Sequence, residues 1–387
     1  MDFEKFVKQY FTVTRAYGTI VGTWPFITKS QKFISYAIVH FLVISALVTQ
    51  TAQVIVYFSI SAIVDQVPFL MVAVAMYVKF SNYMINTDKF KELFINMVKD
   101  WQDERTEEEE NIMKEYANKG VFYTYVYTTN IYFCSVVFFC LPFIPRVMDV
   151  FIPLNESRPL VEMYPGYYFV ENNDDYYVFI MLYTMACMLS TMCVFIATDT
   201  ILLYMVQHVC GLLSLAGHRF KYSMGTGYSL TNSEKINKEL VYKKVCYAIK
   251  THKRALTFLT EIEGVYALNL FIQVGVVVLT FTITLLKVAS VTLSMDTYQY
   301  YGFIITQLVH IFFLTVQGQF VMDLHDIVYQ QGYQTCWYYA DVKTQALLVL
   351  VLRRNLLPPL LTAGGLIQLN LDSFAEIVKA SVSYHFR

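Results

Sequence analysis

The sequence predicts an all-α membrane protein: seven transmembrane helices, the N-terminus cytoplasmic, the C-terminus extracellular and the seventh helix split in two. Three observations predict it. Hydrophobic residues make up 56% of the chain and charged residues only 15%, against about 25% charged in an ordinary soluble domain. Six apolar stretches are long enough to cross a hydrocarbon layer of about 30 Å. Lysine and arginine crowd the loops on one side only, and that side is the cytoplasmic one. The net charge is −1, so no nucleic-acid partner is indicated.

Residues 1–32 form an amphipathic, basic cytoplasmic leader containing Gly22-Thr23-Trp24-Pro25. It has no short apolar core followed by a small-residue cleavage site, so no cleaved signal peptide is expected. Six spans follow within residues 33–324. The first runs from about Phe33 to Ile60 and the second from about Val67 to Ile85, with a turn around Asp65. Residues 86–119 are strongly charged and hold the acidic run Glu107 to Glu110. The third span covers about Val121 to Leu141. A proline-rich polar stretch, 142–175, carries the sequon Asn155-Glu156-Ser157, a glycosylation acceptor when it faces outward. The fourth span, about Tyr176 to Val209, is long enough to project beyond the bilayer. Residues 210–260 are basic and include an amphipathic helix over 234–260. The fifth and sixth spans, about 262–290 and 297–322, are joined by a short turn at Ser294-Met295-Asp296.

The leader and the 86–119 and 210–260 loops carry the basic residues, whereas the opposite loops hold only Arg146 and Arg158. A G-protein-coupled receptor has the reverse orientation. Its Asp-Arg-Tyr and Asn-Pro-x-x-Tyr signatures are also absent, which leaves that class as a weaker alternative. None of the seven cysteines falls in a stretch placed outside the cell, so free thiols are expected. The chain lacks a Gly-x-Ser-x-Gly elbow, a phosphate-binding loop, a His-Glu-x-x-His pair and a Cys-x-x-Cys. No enzyme activity, cofactor or metal site is expected. His40 and His310, inside spans, read as hydrogen-bonded packing residues, and His252 as an interhelical hydrogen bonder.

In the last fifty-odd residues Pro358-Pro359 and Gly364-Gly365 interrupt helix formation. The second half, residues 366–387, reads as a helix about 33 Å long at roughly 1.5 Å per residue, with Ser373 and Glu376 at capping-box spacing. Asp372, Ser373, Glu376, Lys379, Ala380, Ser383 and Arg387 fall within an arc of roughly 120°. Most apolar residues lie outside it; Ser381 and His385 are exceptions. A charge facing lipid is costly. The stripe therefore lines a pore, packs on neighbouring helices, or lies flat on the membrane surface. Aromatics are 17% of the chain and crowd the outer halves of several spans. Most fit an interfacial belt. The remainder suit an apolar cavity with a few hydroxyls, fit for a small, uncharged, largely apolar molecule.

The C-terminal pattern consists of Tyr333 and Trp337, then Arg353-Arg354, Pro358 or Pro359, Ala363-Gly364-Gly365, Leu371, Phe374, Ile377-Val378-Lys379-Ala380-Ser381 and Ser383-Tyr384. Together with Gly22-x-Trp24-Pro25 and the Cys246-Ile249-His252 spacing, it makes the chain resemble the insect odorant receptor family over essentially its whole length. It lacks the long insertion before the fifth span of the shared co-receptor and so resembles a ligand-tuning subunit. The resemblance implies an odorant-gated, non-selective cation channel in the plasma membrane of sensory neuron dendrites, its subunits assembled as a tetramer with co-receptor copies. The implied partners are those co-receptor subunits, a small volatile ligand and membrane lipid.

By the same resemblance, cytoplasmic anchor helices fall on 238–259 and 329–357. The pore helix falls on 366–387, lined by Ser373, Glu376, Ala380, Ser383 and Arg387. The odorant pocket lies in the outer half, among the second, third, fourth and sixth helices with help from the fifth. Depth and chemistry select Val72, Met76 and Tyr77, then Ser135 and Phe138, then Tyr183 and Cys187, and finally Tyr300 and Gln307. Family chains usually continue several apolar residues past the Ser-Tyr pair, whereas this sequence ends at Arg387. The expectation is a gate supplied mainly by partner subunits, and poor function without them. The sister gustatory family, with the same fold, usually ends in Thr-Tyr followed by Gln-Phe, which this chain lacks.

Overall fold

The computed structural model describes residues 3–153, 156, 158–224, 238–290, 298–357 and 360–383. Helices α1 (Phe3–Tyr10) and α2 (Thr12–Val21) form the leader. Its apolar face is covered by protein: Phe6 and Tyr10 pack on Trp101, at ring distances of 5.3 and 5.7 Å. Phe11 packs on Phe94 and Tyr204, at 5.3 and 4.2 Å.

The first two spans are α3 (Lys29–Val56) and α4 (Ile60–Ile85). The turn between them falls at 57–59 and not at Asp65. Ser59 caps α4 by accepting from the Ala62 amide at 3.0 Å, as serine does at a helix start. Asp65 therefore sits inside α4. Helix α5 (Thr87–Gln102) leads to α6 (Glu107–Cys140), which opens on a capping box. There Thr106 accepts from the Glu109 amide, and Glu109 accepts from the Thr106 amide, both at 3.3 Å. The short α7 (Ile144–Phe151) precedes the outer loop.

Three very long helices follow: α8 (Tyr177–Lys221), α9 (Lys238–Ser290) and α10 (Tyr298–Tyr333). At about 1.5 Å per residue, α9 is about 80 Å long, far more than a bilayer core needs. The expected division of α9 into an inner helix and a fifth span does not occur. The sequence Phe258-Leu259-Thr260-Glu261-Ile262 has no proline or glycine to interrupt the hydrogen-bond ladder. Likewise α6 joins its charged start directly to the third span. The extensions of α6, α8, α9 and α10, with the leader and α5, build the largest core on the leader's side of the bundle.

That core contains buried ion pairs. Asp100 accepts from His208 Nε2 at 3.0 Å and from Arg254 Nε at 2.7 Å. Arg219 forks onto Glu109 at 2.7 and 3.0 Å, the bidentate geometry that suits a guanidinium. Burial pushes the Asp100 carboxyl up, but hydrogen bonds from His208 and Arg254 outweigh it and hold its pKa below the usual range. His252 stacks on His325 of α10, with ring centroids 5.7 Å apart. Its Nε2 has no hydrogen-bond partner, so at that atom ring packing replaces the expected interhelical hydrogen bond.

Helix α11 (Val342–Asn355) precedes an antiparallel pair, β1 (Thr362–Ala363) and β2 (Ile367–Gln368), with Ala363 opposite Ile367. Gly364 and Gly365 turn the chain with φ of +66° and +72°, the left-handed region that glycine adopts without a steric cost. Residues 366–370 are thereby outside the helix. Helix α12 runs Leu371–Ser383, starting later than the expected Leu366. Asn370, not Ser373, is the cap, accepting from the Ser373 amide at 2.8 Å. Helices α3, α4, α6, α8, α9 and α10 are long and apolar enough to cross a membrane. With the split seventh element they form a seven-helix membrane fold. The seven thiols are unpaired.

Candidate functional site

A cavity of about 190 Å³ lies between α3, α4, α6, α8, α9 and α10. Its residues are near the C-terminal ends of α3, α6 and α9 and the N-terminal ends of α4, α8 and α10. That is the end of the bundle remote from the leader, where the charge bias places the outer leaflet. Phe69, Phe138 and Phe303 form an edge-to-face cluster at one wall, with ring distances of 4.8 and 4.9 Å. Such packing gives rigid apolar surface. The loop between α7 and α8 contributes Tyr164 to the lining. That loop is pinned where the Tyr167 amide donates to Thr49 O at 3.1 Å and the Tyr177 hydroxyl to Val161 O at 3.0 Å.

The structure brings Val72, Ser135, Phe138, Cys187 and Gln307 to the cavity lining. Four other candidates point elsewhere. Met76 lies a turn deeper and is sealed in a cluster with Phe80, Val39 and Val194. Tyr77 sits edge-on to His40, 5.7 Å away. Tyr183 donates its hydroxyl to Ser45 at 2.9 Å. Tyr300 donates to Asp65 at 3.3 Å, and Asp65 also pairs with Lys287. Each was selected by depth, but depth does not fix which way a helix faces. The sequence reasoning missed Gln50, Tyr164, Gln273 and His310. Three of these are lone polar residues in apolar spans, the signal that marks interior-facing positions in a membrane.

Below the cavity lies a buried polar group. Lys79 of α4 pairs with Asp199 of α8, which also accepts from Tyr127 of α6. His310 Nδ1 is 3.9 Å from the same carboxylate. One turn further, the Tyr83 hydroxyl meets Thr198 O at 2.8 Å and the Tyr266 hydroxyl. Next to Tyr266, Ala267 O accepts from the Gly364 amide at 2.9 Å. Polar contacts thus run from the cavity floor to the hairpin that carries α12.

On α12, Glu376, Lys379 and Ala380 are exposed and Ser373 is half-buried. Phe374 packs on Phe312 at 5.8 Å, Ile377 meets the core, and Ser381 is buried. The polar stripe therefore faces out of the subunit. Ser383 closes the helix, but its side chain lies outside the described residues, as do Arg387 and Asn155. Among the described residues no group of histidine, cysteine or acidic side chains is placed to hold a metal ion.

A seven-helix membrane bundle with a mainly apolar cavity between its outer helix ends can take up a small molecule. The family model described as 7tm Odorant receptor matches residues 59–382, and the chain belongs to that family, one of receptors and not of enzymes. Among solved structures, the insect olfactory receptor OR5 from Machilis hrabei in complex with eugenol is similar, with a TM-score of 0.76. It shares 13% identity over 99% of this chain and 97% of the other. The structure of the same receptor without that description matches with a TM-score of 0.74, again at 13% identity and the same coverage. At this identity the likeness establishes the fold. No curated protein matches the sequence.

Proposed function

We propose that the chain is the ligand-tuning subunit of an odorant-gated, non-selective cation channel. A small, largely apolar volatile lodges in the cavity, and the pore is shared with co-receptor subunits in a hetero-oligomeric tetramer. The observation that carries this reading is the 190 Å³ cavity between the outer helix ends in a chain of the odorant receptor family. An apolar cavity of about 150 Å³ in a soluble protein holds benzene, so the size suits one ring with a short substituent. The solved relative described in complex with eugenol supports a small organic ligand for this fold.

The exposed stripe of α12 is assigned to the pore, with Ser373, Glu376 and Ala380 facing water and cations. A charged stripe needs a polar surrounding in the membrane, and Glu376 favours cation entry. The ligand opens the pore only to the extent that it binds the open arrangement more tightly than the closed one. The contacts from His310 through Asp199, Tyr83 and Tyr266 to Gly364 supply a route by which the cavity biases α12. The test is co-expression with a co-receptor, a panel of volatiles, and recording from excised patches. Currents gated by a volatile without added nucleotide support the reading. Responses that vanish on excision and return only with a G-protein cascade overturn it.

A further inference from the structure

The cavity lining is apolar except for a small polar set, and five of its members carry polar atoms with no hydrogen-bond partner: the Tyr164 hydroxyl and four side chains on the helices. Gln50 of α3, Gln273 of α9, and Gln307 and His310 of α10 are each more than nine-tenths buried and line the cavity. Gln273 donates its amide to Ala75 O at 2.8 Å, which leaves its side-chain oxygen unpartnered; Gln50 Oε1 is also unpartnered. Gln307 has neither its amide nitrogen nor its oxygen engaged, and neither ring nitrogen of His310 is bonded. The hydroxyls nearby do not answer them. Ser135 donates to Ile131 O at 2.8 Å, Thr280 to Val276 O at 2.8 Å and Thr306 to Gly302 O at 2.8 Å, each within its own helix. Among the described residues no carboxylate, lysine or arginine lines the cavity.

Buried polar atoms are normally paired, so this set specifies what an occupant must bring. Three glutamine oxygens, those of Gln50, Gln273 and Gln307, require a donor. Gln307 also offers an amide donor, and His310 offers one ring N–H. An ether, ester or hydrocarbon cannot donate, and a charged ligand would find no counter-ion. We infer that the cavity selects a volatile alcohol or phenol: the apolar body lies against Phe138, Phe303 and Val277, and the hydroxyl both donates to a glutamine oxygen and accepts from Gln307 or His310. This rests on the cavity being the ligand site, as proposed above.

The test uses the full-length chain in lipid nanodiscs and measures stabilisation against thermal unfolding by benzyl alcohol, benzyl methyl ether and ethylbenzene, which links to affinity. Benzyl alcohol is expected to bind at least about tenfold more tightly than near-isosteric ethylbenzene, because a site built for a hydroxyl rejects the analogue lacking it. The ether can accept from Gln307 or His310 but cannot donate to a glutamine oxygen, so it should bind more weakly than the alcohol and more tightly than ethylbenzene. Gln307→Leu should bring the alcohol and hydrocarbon affinities together, and Gln50→Leu, on a different helix, should narrow the gap if the first variant does not fold. Equal binding of the three compounds to the unaltered protein overturns the hydroxyl inference but leaves the cavity as a ligand site. Absence of binding by all three overturns both.

Discussion

Replacing Lys79 by methionine leaves the Asp199 carboxylate without its counter-ion inside the membrane. The side chains of the pair are 2% and 10% exposed, so water screens them little. At an effective dielectric of about 20 and a contact separation of about 3 Å, their attraction is about 5 kcal/mol. Mutational data for buried pairs give a similar cost, about 3–5 kcal/mol when one partner is removed. The Lys79 ammonium also lies 5.0 Å from the centre of the Phe195 ring, and Tyr127 still donates to Asp199 after the change; that retained hydrogen bond offsets part of the loss. Lys79→Met alone should therefore lower stability by about 3 kcal/mol. Combining it with Asp199→Asn should recover more than half of that loss, because the uncompensated charge is gone. The assay is thermal unfolding of the purified protein in detergent, together with surface labelling in cells. Single and double variants that add within about 0.5 kcal/mol refute the coupling, as does a Lys79→Met protein of unchanged stability.

Other predictions follow from the same geometry. A Cβ at Gly318 would collide with the Leu369 carbonyl, so Gly318→Ala should unseat the hairpin from α10 at a cost of about 1–3 kcal/mol, measured by thermal unfolding, and should alter gating more than ligand binding. Val277→Trp fills the cavity and should abolish responses to volatiles while surface labelling stays normal. Acid should weaken the inner end of the bundle. Burial, then the nearby His325 and Arg354, depress the His252 pKa from 6.5 to about 4. The unfolded chain therefore takes up this proton first. The stability is complete above about pH 6.5 and is lost as pH falls toward 4, on the order of 3 kcal/mol in all. A melting temperature that falls between neutral pH and about pH 5 in the parent, and falls less in His252→Phe, checks this.

The helical membrane class was legible because composition, span length and basic loops all speak to the same property, the cost of placing charge in lipid. Helix ends were less so. Ser59 outcompeted Asp65 as a boundary because a side-chain cap acts on the backbone directly, and α9 continued through Thr260 because nothing there breaks a helix. Val72, Ser135, Phe138, Cys187 and Gln307, chosen by depth and chemistry, line the cavity. Met76 and Tyr183 share that depth but face other helices, and facing depends on packing between helices that no local pattern encodes. Gln50, Gln273, Lys79 and Asp199 were visible as isolated polar residues in apolar spans. Which of them pair with each other and which face the cavity became evident only in three dimensions.

On the function proposed above, a volatile molecule is held between the outer helix ends. A density map of the full-length protein in nanodiscs saturated with a volatile that gates it tests this most directly. Ligand density is expected in contact with Val72, Phe138 and Gln307. Density confined to another site, with the cavity collapsed around Phe303, would contradict it.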